Sequence, residues 1–211
     1  FYAELEVDAA GKDTERLCAL IDHFDHLPEP AFDQLIKTLS SQHFSGLPEA
    51  QRLSIWDHLT KFINKHRRFS DTKWALSDEL VTRIEYIAEQ LAPTNPFNLY
   101  QHLFTDNDFN LYEENSDWQE QQNKLDIKRD TAISKIYLQD GVDGVIRFSE
   151  YVSSPGQVGS ALGVIAENVE RAILPHFLVT TDRKRKALVS RFIWRCYHLQ
   201  GWGWCDDLDK S

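Results

Sequence analysis

The chain has 211 residues, of which 42% are hydrophobic and 27% charged, a composition that excludes wholesale disorder and allows one large domain or two small ones. Its formal net charge of -10 disfavours binding to nucleic-acid backbones, which would need a local basic patch. Cys18, Cys196 and Cys205 form no CxxC pair, which argues against a zinc knuckle or a disulfide framework and predicts a reducing, cytoplasmic setting.

The start of the chain predicts a segment of a larger protein, because it begins at Phe1 and the sequence contains no Met. The first six residues lack the basic stretch that opens a signal peptide. No apolar run approaches the length that crosses a bilayer, so we expect no membrane contact.

Apolar residues at helical spacing run through the first half of the chain. Asp13 is a candidate N-cap for a first helix, and the tripeptide Leu-Pro-Glu opens a further helix at 27–29 and again at 47–49. The apolar residues after both tripeptides share one offset, which suggests a helical repeat, although two ordinary helix starts would look the same. Ser77 caps the next helix, which ends at a break over residues 92–96.

The second half of the chain continues with helices. A short helix is followed by a polar, acidic stretch, and then by a long helix that ends at Asp140 and Gly141. Another break comes at residues 153–156, and Thr181 and Asp182 cap the last long helix.

The pattern predicts an all-α fold of about nine or ten helices, arranged as stacked helix hairpins in the manner of HEAT or TPR arrays. We predict an N-terminal helical lobe over residues 1–104, an acidic polar loop over 105–115 and a C-terminal helical lobe over 116–211. The two lobes can be parts of one continuous stack or two small domains.

Three short motifs are candidates for a metal or anion site, and each also has a purely structural interpretation. His23 and His26 are three residues apart, but a polar helix end favours histidine equally well. Residues 106–110 resemble the start of a calcium loop, yet Leu111 stands where an EF-hand needs Gly. Gly156, Gly159 and Gly163 could surround an anion, but small residues at this spacing favour close helix packing. We therefore predict no metal site and no cofactor.

The strongest surface signal is a basic run at residues 183–186, in the first turns of a helix where positive charge opposes the helix dipole. A solvated face balanced by nearby acids would explain it; the functional interpretation is a contact for an acidic partner, a phosphate or a nucleic acid. The predicted partner-binding residues are Arg183, Lys184, Arg185, Lys186, Arg191 and Arg195.

Trp194, Trp202 and Trp204 cluster near Tyr197 at the end of the chain. Such a density of aromatic residues can form a binding surface, and it can also belong to the core or to a seam with further helices. The expectation that the chain continues into a longer stack favours the seam.

Several stretches share loose structural motifs with a known family. They are HRRF at 66–69 with WAL at 74–76, PFNLY at 96–100 with LF at 103–104, SSP at 153–155 with VG at 158–159 and ALG at 161–163, and GWGW at 201–204. Together they resemble the helical C-terminal region of very large bacterial proteins similar to STAND-type NTPases of signalling and phage defence. The resemblance spans residues 65–204 and implies a sensor or scaffold role, because no Walker motif and no catalytic residue of that family occurs here.

The sequence thus predicts a non-enzymatic protein-interaction or sensor segment of a larger cytoplasmic bacterial protein. The alternative is a small helical domain that binds a ligand or metal, or acts as an enzyme, with its site near residues 156–163 or at His23 and His26. A second alternative is a nucleic-acid contact through the basic helix over residues 183–195.

Overall fold

The computed structural model of this chain describes residues 13–41, 44, 46–112, 117–165 and 169–209. All regular secondary structure within these ranges is helical, with ten α-helices and three short 3-10 helices, which confirms the predicted all-α class. The α-helices are α1 (Thr14–Asp22), α2 (Glu29–Leu39), α3 (Glu49–Arg68), α4 (Asp78–Leu91), α5 (Pro96–Tyr100), α6 (Trp118–Tyr151), α7 (Pro155–Ile165), α8 (Glu170–Phe177), α9 (Arg183–Gln200) and α10 (Trp202–Asp209).

The helices form two compact units. Unit 1 comprises Phe1–Thr94 and Asn110–Asp117, and unit 2 comprises Asn95–Phe109 and Trp118–Ser211. The prediction had placed residues 95–104 in the first lobe, and residues 113–115 of its loop lie outside the described residues. Asn95–Phe109 belongs to unit 2 because its aromatic side chains Phe97 and Phe104 both pack edge-on against Phe148, with ring centroids 5.2 Å apart.

Unit 1 is built on the long helix α3, which packs against α1 and α4, while α2 packs against α4. Its core is an apolar cluster with no exposed surface, contributed by Leu17, Ile21, Phe24, Leu35, Ile55, Leu59 and Ile84. Burial of such side chains contributes roughly 1.5–3 kcal/mol each, so this cluster is the main source of the unit's stability.

The two Leu-Pro-Glu tripeptides start their helices with the same geometry. Pro28 and Pro48 are the N-cap residues of α2 and α3, with ψ angles of 147° and 142°. Each proline carbonyl accepts hydrogen bonds from the amides three and four residues later, at 2.9–3.1 Å. The two helix starts therefore share one local geometry, whereas a helical repeat and a stacked array of hairpins stay predictions.

The centre of unit 2 is formed by three of its helices, and among these α7 packs against both α6 and α9. Helix α6 is two helices joined at Gly141, whose φ of 66° and ψ of -161° interrupt the helical path. A glycine adopts this left-handed conformation without steric cost, which explains why the predicted helix end falls at this residue.

The glycines of α7 allow α9 to approach closely. A β-carbon on Gly159 would overlap the carbonyl of Leu188, and one on Gly163 would lie 3.1 Å from the β-carbon of Arg195. The stripe Gly156, Gly159 and Gly163 is thus filled by α9, in agreement with the close-packing interpretation and not with an anion pocket.

We predict that Gly159→Ala destabilises the chain by about 3 kcal/mol, because the new methyl group meets the backbone of α9 and the two helices must separate. The matched control is Gly203→Ala, since a β-carbon at Gly203 meets nothing within 4 Å and alanine favours the helix. Denaturant unfolding of both variants measures the difference, and equal midpoints would contradict the role given to Gly159.

Candidate functional site

Helix α9 carries a charge pattern unlike that of the rest of the chain. Its 18 residues, RKRKALVSRFIWRCYHLQ, include six Arg or Lys and no Asp or Glu. Asp182 is its N-cap, as predicted, and its carboxylate accepts a hydrogen bond of 2.8 Å from the Arg185 amide. All six predicted partner-binding residues therefore lie on one helix, and their neighbours decide which of them face solvent.

Lys184 and Arg185 are engaged within unit 2. The Lys184 ammonium donates to the carbonyls of Glu150 and Val152, at 2.7 and 2.9 Å, at the C-terminal end of α6. A cation at this position complements the negative end of the helix dipole. The Arg185 guanidinium donates twice to one Glu150 carboxylate oxygen, at 3.0 and 2.7 Å. These two side chains tie α9 to α6.

Arg195 also points inward, where it lines a small cleft and lies against Gly163. Arg183, Lys186 and Arg191 are exposed, and none forms an ion pair with another described residue. The structure thus divides the predicted cluster into three residues that contact other parts of unit 2 (Lys184, Arg185 and Arg195) and three exposed residues without an ion pair to a described residue (Arg183, Lys186 and Arg191).

The C-terminal half of α9 presents aromatic rings to solvent. Trp194 is 44% exposed, with the Arg191 guanidinium 5.3 Å from its ring and the His198 imidazole stacked on it at 3.9 Å. Trp202, at the start of α10, is 72% exposed and packs edge-on against Tyr197 at 5.2 Å. Two of the three clustered tryptophans therefore lie on the surface.

The third tryptophan of the cluster belongs to the core. Trp204 is 7% exposed and packs edge-on against the fully buried Phe192. The alternative of core residues is therefore correct for Trp204, and it is wrong for Trp194 and Trp202 within this chain.

Unit 2 also contains a buried arginine that forms hydrogen bonds with the segment before α6. Arg129 on α6 is 1% exposed; it donates to the Leu103 carbonyl at 2.8 Å and to both carboxylate oxygens of Asp108, at 3.2 and 2.6 Å. The stretch that resembles a calcium loop thus directs its Asp108 carboxylate to a guanidinium. Breaking a buried ion pair by removing one partner leaves an uncompensated charge, which costs about 3–5 kcal/mol.

We predict that Asp108→Asn destabilises the chain by about 3 kcal/mol, because the buried Arg129 loses its closest counter-charge and keeps only Asp126, at 3.8 Å. Asp106→Asn is the matched control, since Asp106 is exposed in the same loop. Thermal unfolding of the two variants provides the measurement. A similar loss of stability in both, or in neither, would show that the Asp108–Arg129 pair does not hold this segment.

The small cleft in unit 2 has a volume of about 10 Å³ and is polar. Its walls are Asp126, Arg129, Asp130, Gln157, Ser160, Ala161 and Arg195. A cavity of this size accommodates about one water molecule and no organic ligand. Burial raises the pKa of Asp130 to about 6; the charge of Arg195 opposes this rise, and the charge of Asp126 adds to it.

The raised pKa of Asp130 makes the stability of the fold depend on pH. Between its ordinary value of 3.8 and about 6, the folded chain binds a proton that the unfolded chain has released. Stability from this group is therefore present at low pH and is lost as the pH rises through 6.

We predict that Asp130→Asn becomes more stable relative to the wild type, on the order of 2 kcal/mol, when the pH is raised from about 4 to about 7, because the variant avoids the buried charge. Unfolding free energies at both pH values provide the test, with Asp143→Asn, exposed on the same helix, as the control. A pH-independent difference between Asp130→Asn and the wild type would contradict the prediction.

A second buried polar group lies in unit 1. The Leu76 amide donates to His66 Nδ1 at 3.1 Å, so the neutral ring carries its proton on Nε2, which lies 3.7 Å from an Asp25 carboxylate oxygen. Lys65 donates to the same oxygen at 3.2 Å. Burial lowers the pKa of His66, and the nearby Asp25 charge opposes this. Metal binding at Nε2 would require the other tautomer, with the proton on Nδ1, and would break the hydrogen bond from the Leu76 amide.

His23 and His26 have ring centroids 6.2 Å apart, and His26 Nε2 lies 3.9 Å from a second oxygen of Asp25. Among the described residues, no group of three or more His, Cys, Asp or Glu side chains is arranged to hold a metal ion.

The burial of Arg129 and His66 was not predicted from the sequence, although the sequence carries a signal for it. Arg129 is four residues from Leu125 and from Ile133, so it lies on the apolar stripe of its helix. His66 follows Phe62 and Ile63 at the same kind of spacing. A charged or polar residue within an apolar stripe indicates a buried partner, but it does not identify that partner.

No family model, no curated protein and no solved structure matches this chain. Within the part of the chain that the structure describes, no helix has both the length and the apolar character of a membrane span.

Proposed function

We propose that this chain is a non-enzymatic protein-interaction segment, acting as a sensor or scaffold in a larger cytoplasmic bacterial protein. Its contact surface is the α9 face, defined as Arg183, Lys186, Arg191, Trp194, His198 and Trp202. The single observation that carries the proposal is the pairing of the exposed Trp194 with Arg191 on this face, beside the exposed Trp202. Trp and Arg are the residue types that dominate the binding energy of protein interfaces.

The α9 face has a rigid support. The opposite side of the helix carries the fully buried Leu188 and Phe192, and the glycines of α7 pack directly against its backbone. Lys184 and Arg185 hold its first turns to α6. A surface held in one conformation loses little entropy when a partner binds, so this support favours a binding role.

The alternative of a ligand-binding or enzymatic domain has less support. The stretch at 156–163 is occupied by helix packing, and the polar cleft beside it accommodates about one water molecule. The sensor or scaffold role within a larger protein rests on the family resemblance.

We predict that the double variant Arg183→Glu/Lys186→Glu reduces capture of native protein partners by about tenfold or more, because attraction at the α9 face becomes repulsion. The measurement is quantitative mass spectrometry of proteins retained by the immobilised chain from cytosol of the cells that produce it.

The control is Lys37→Glu/Lys73→Glu, which makes the same change of charge at exposed positions in unit 1. Loss of folding is separable from loss of binding, because carboxylates in the first turns of α9 favour the helix dipole and should leave the thermal midpoint unchanged or slightly raised. Equal capture by the wild type and by both double variants would contradict the proposed function.

A further inference from the structure

The three cations of the α9 face form no ion pair with a described residue, and the neighbouring Asp182 carboxylate caps the helix. Six Arg or Lys residues occur on this helix; Lys184 and Arg185 are hydrogen-bonded to Glu150, and Arg195 lines the small cleft of unit 2. Arg183, Lys186 and Arg191 remain at the surface without an ion pair to any described residue, in a chain whose net charge is -10. Three unneutralised cations on one helix face of an acidic protein call for an acidic partner.

The two ends of the α9 face differ in charge and in aromatic content. Its cations occupy the N-terminal half of the helix, Trp194 and Trp202 occupy the C-terminal end, and the acidic residue Asp206 follows on α10. Carboxylates on a partner are attracted at the first end and repelled at the other. Apolar side chains gain most at the second end, where exposed aromatic surface is available.

From this arrangement we infer that the α9 face binds a short acidic protein segment, with carboxylates over Arg183, Lys186 and Arg191 and an apolar or aromatic side chain against Trp194 and Trp202. This inference rests on the proposed function and specifies the chemistry of the partner. Arg183 and Trp194 are eleven positions apart, or about 17 Å at 1.5 Å per residue, and an extended segment of about five residues spans that length.

A protein segment fits this face better than a nucleic acid does. A nucleic-acid strand carries phosphates along its whole length, and those beyond the basic half would extend toward the acidic residue Asp206 on α10. A peptide can confine its charge to one end and present apolar groups at the other, which matches the polarity of the α9 face.

The test uses the full chain and fluorescein-labelled synthetic peptides of about ten residues, with Glu in one half and Phe and Leu in the other. A second peptide has Lys in place of Glu, and oligo(dT) serves as the nucleic-acid probe. Fluorescence anisotropy at low and moderate salt measures binding. We expect the wild type to bind the Glu peptide at least about tenfold more tightly than the Lys peptide or oligo(dT), with affinity falling as salt rises.

The variants make the test specific to the α9 face. Arg183→Glu/Lys186→Glu should lose the Glu peptide and gain the Lys peptide, an exchange of preference that simple unfolding cannot produce. Trp194→Ala should weaken binding of the Glu peptide by about tenfold, while Lys37→Glu/Lys73→Glu should retain it.

Several results would overturn the inference: tighter binding of oligo(dT), no preference between the two peptides, or equal losses in both double variants. Failure here is distinguishable from failure of the proposed function. If native partners still depend on Arg183 and Lys186 while the Glu peptide does not bind, only the acidic-segment inference is wrong. If capture of native partners is insensitive to these residues, the proposed function fails.

Discussion

The contact between the Gly159 backbone and the Leu188 carbonyl is the constraint on which the candidate surface depends. It brings α7 and α9 closer than any side chain at that position would allow. One side of α9 is thereby buried, and its opposite side is left to solvent. Lys184 and Arg185 then attach the first turns of the helix to α6, so that the α9 face is supported along its length.

The basic residues of unit 2 differ in the groups that surround them. Arg129 neutralises Asp108 in the interior, Arg185 pairs with Glu150 near the surface, and Lys184 caps a helix end. These contacts hold elements of the unit together, so we expect their removal to lower the free energy of unfolding. Arg183, Lys186 and Arg191 make no such contact with described residues, and their charge is available to a partner.

The two units bury titratable groups with opposite consequences. Asp130 in unit 2 is more easily protonated when folded, so acidification relieves the cost of burying its charge. His66 in unit 1 has a lowered pKa, and its folded state resists protonation, so the same acidification lowers stability there. Acidification therefore changes the stability contributed by these two groups in opposite directions.

The sequence by itself determined the helical class, the helix starts at Pro28 and Pro48, the Asp182 cap and the interruption at Gly141, because these depend on residues that are neighbours along the chain. It also located the basic helix, since charge composition is readable without a fold. Only the tertiary structure decided which cations of α9 have partners on α6, that Trp204 is core while Trp194 and Trp202 are exposed, and that Asp108 pairs with Arg129. Those outcomes depend on residues distant in sequence, and periodicity along one helix does not specify which residues will pack against it.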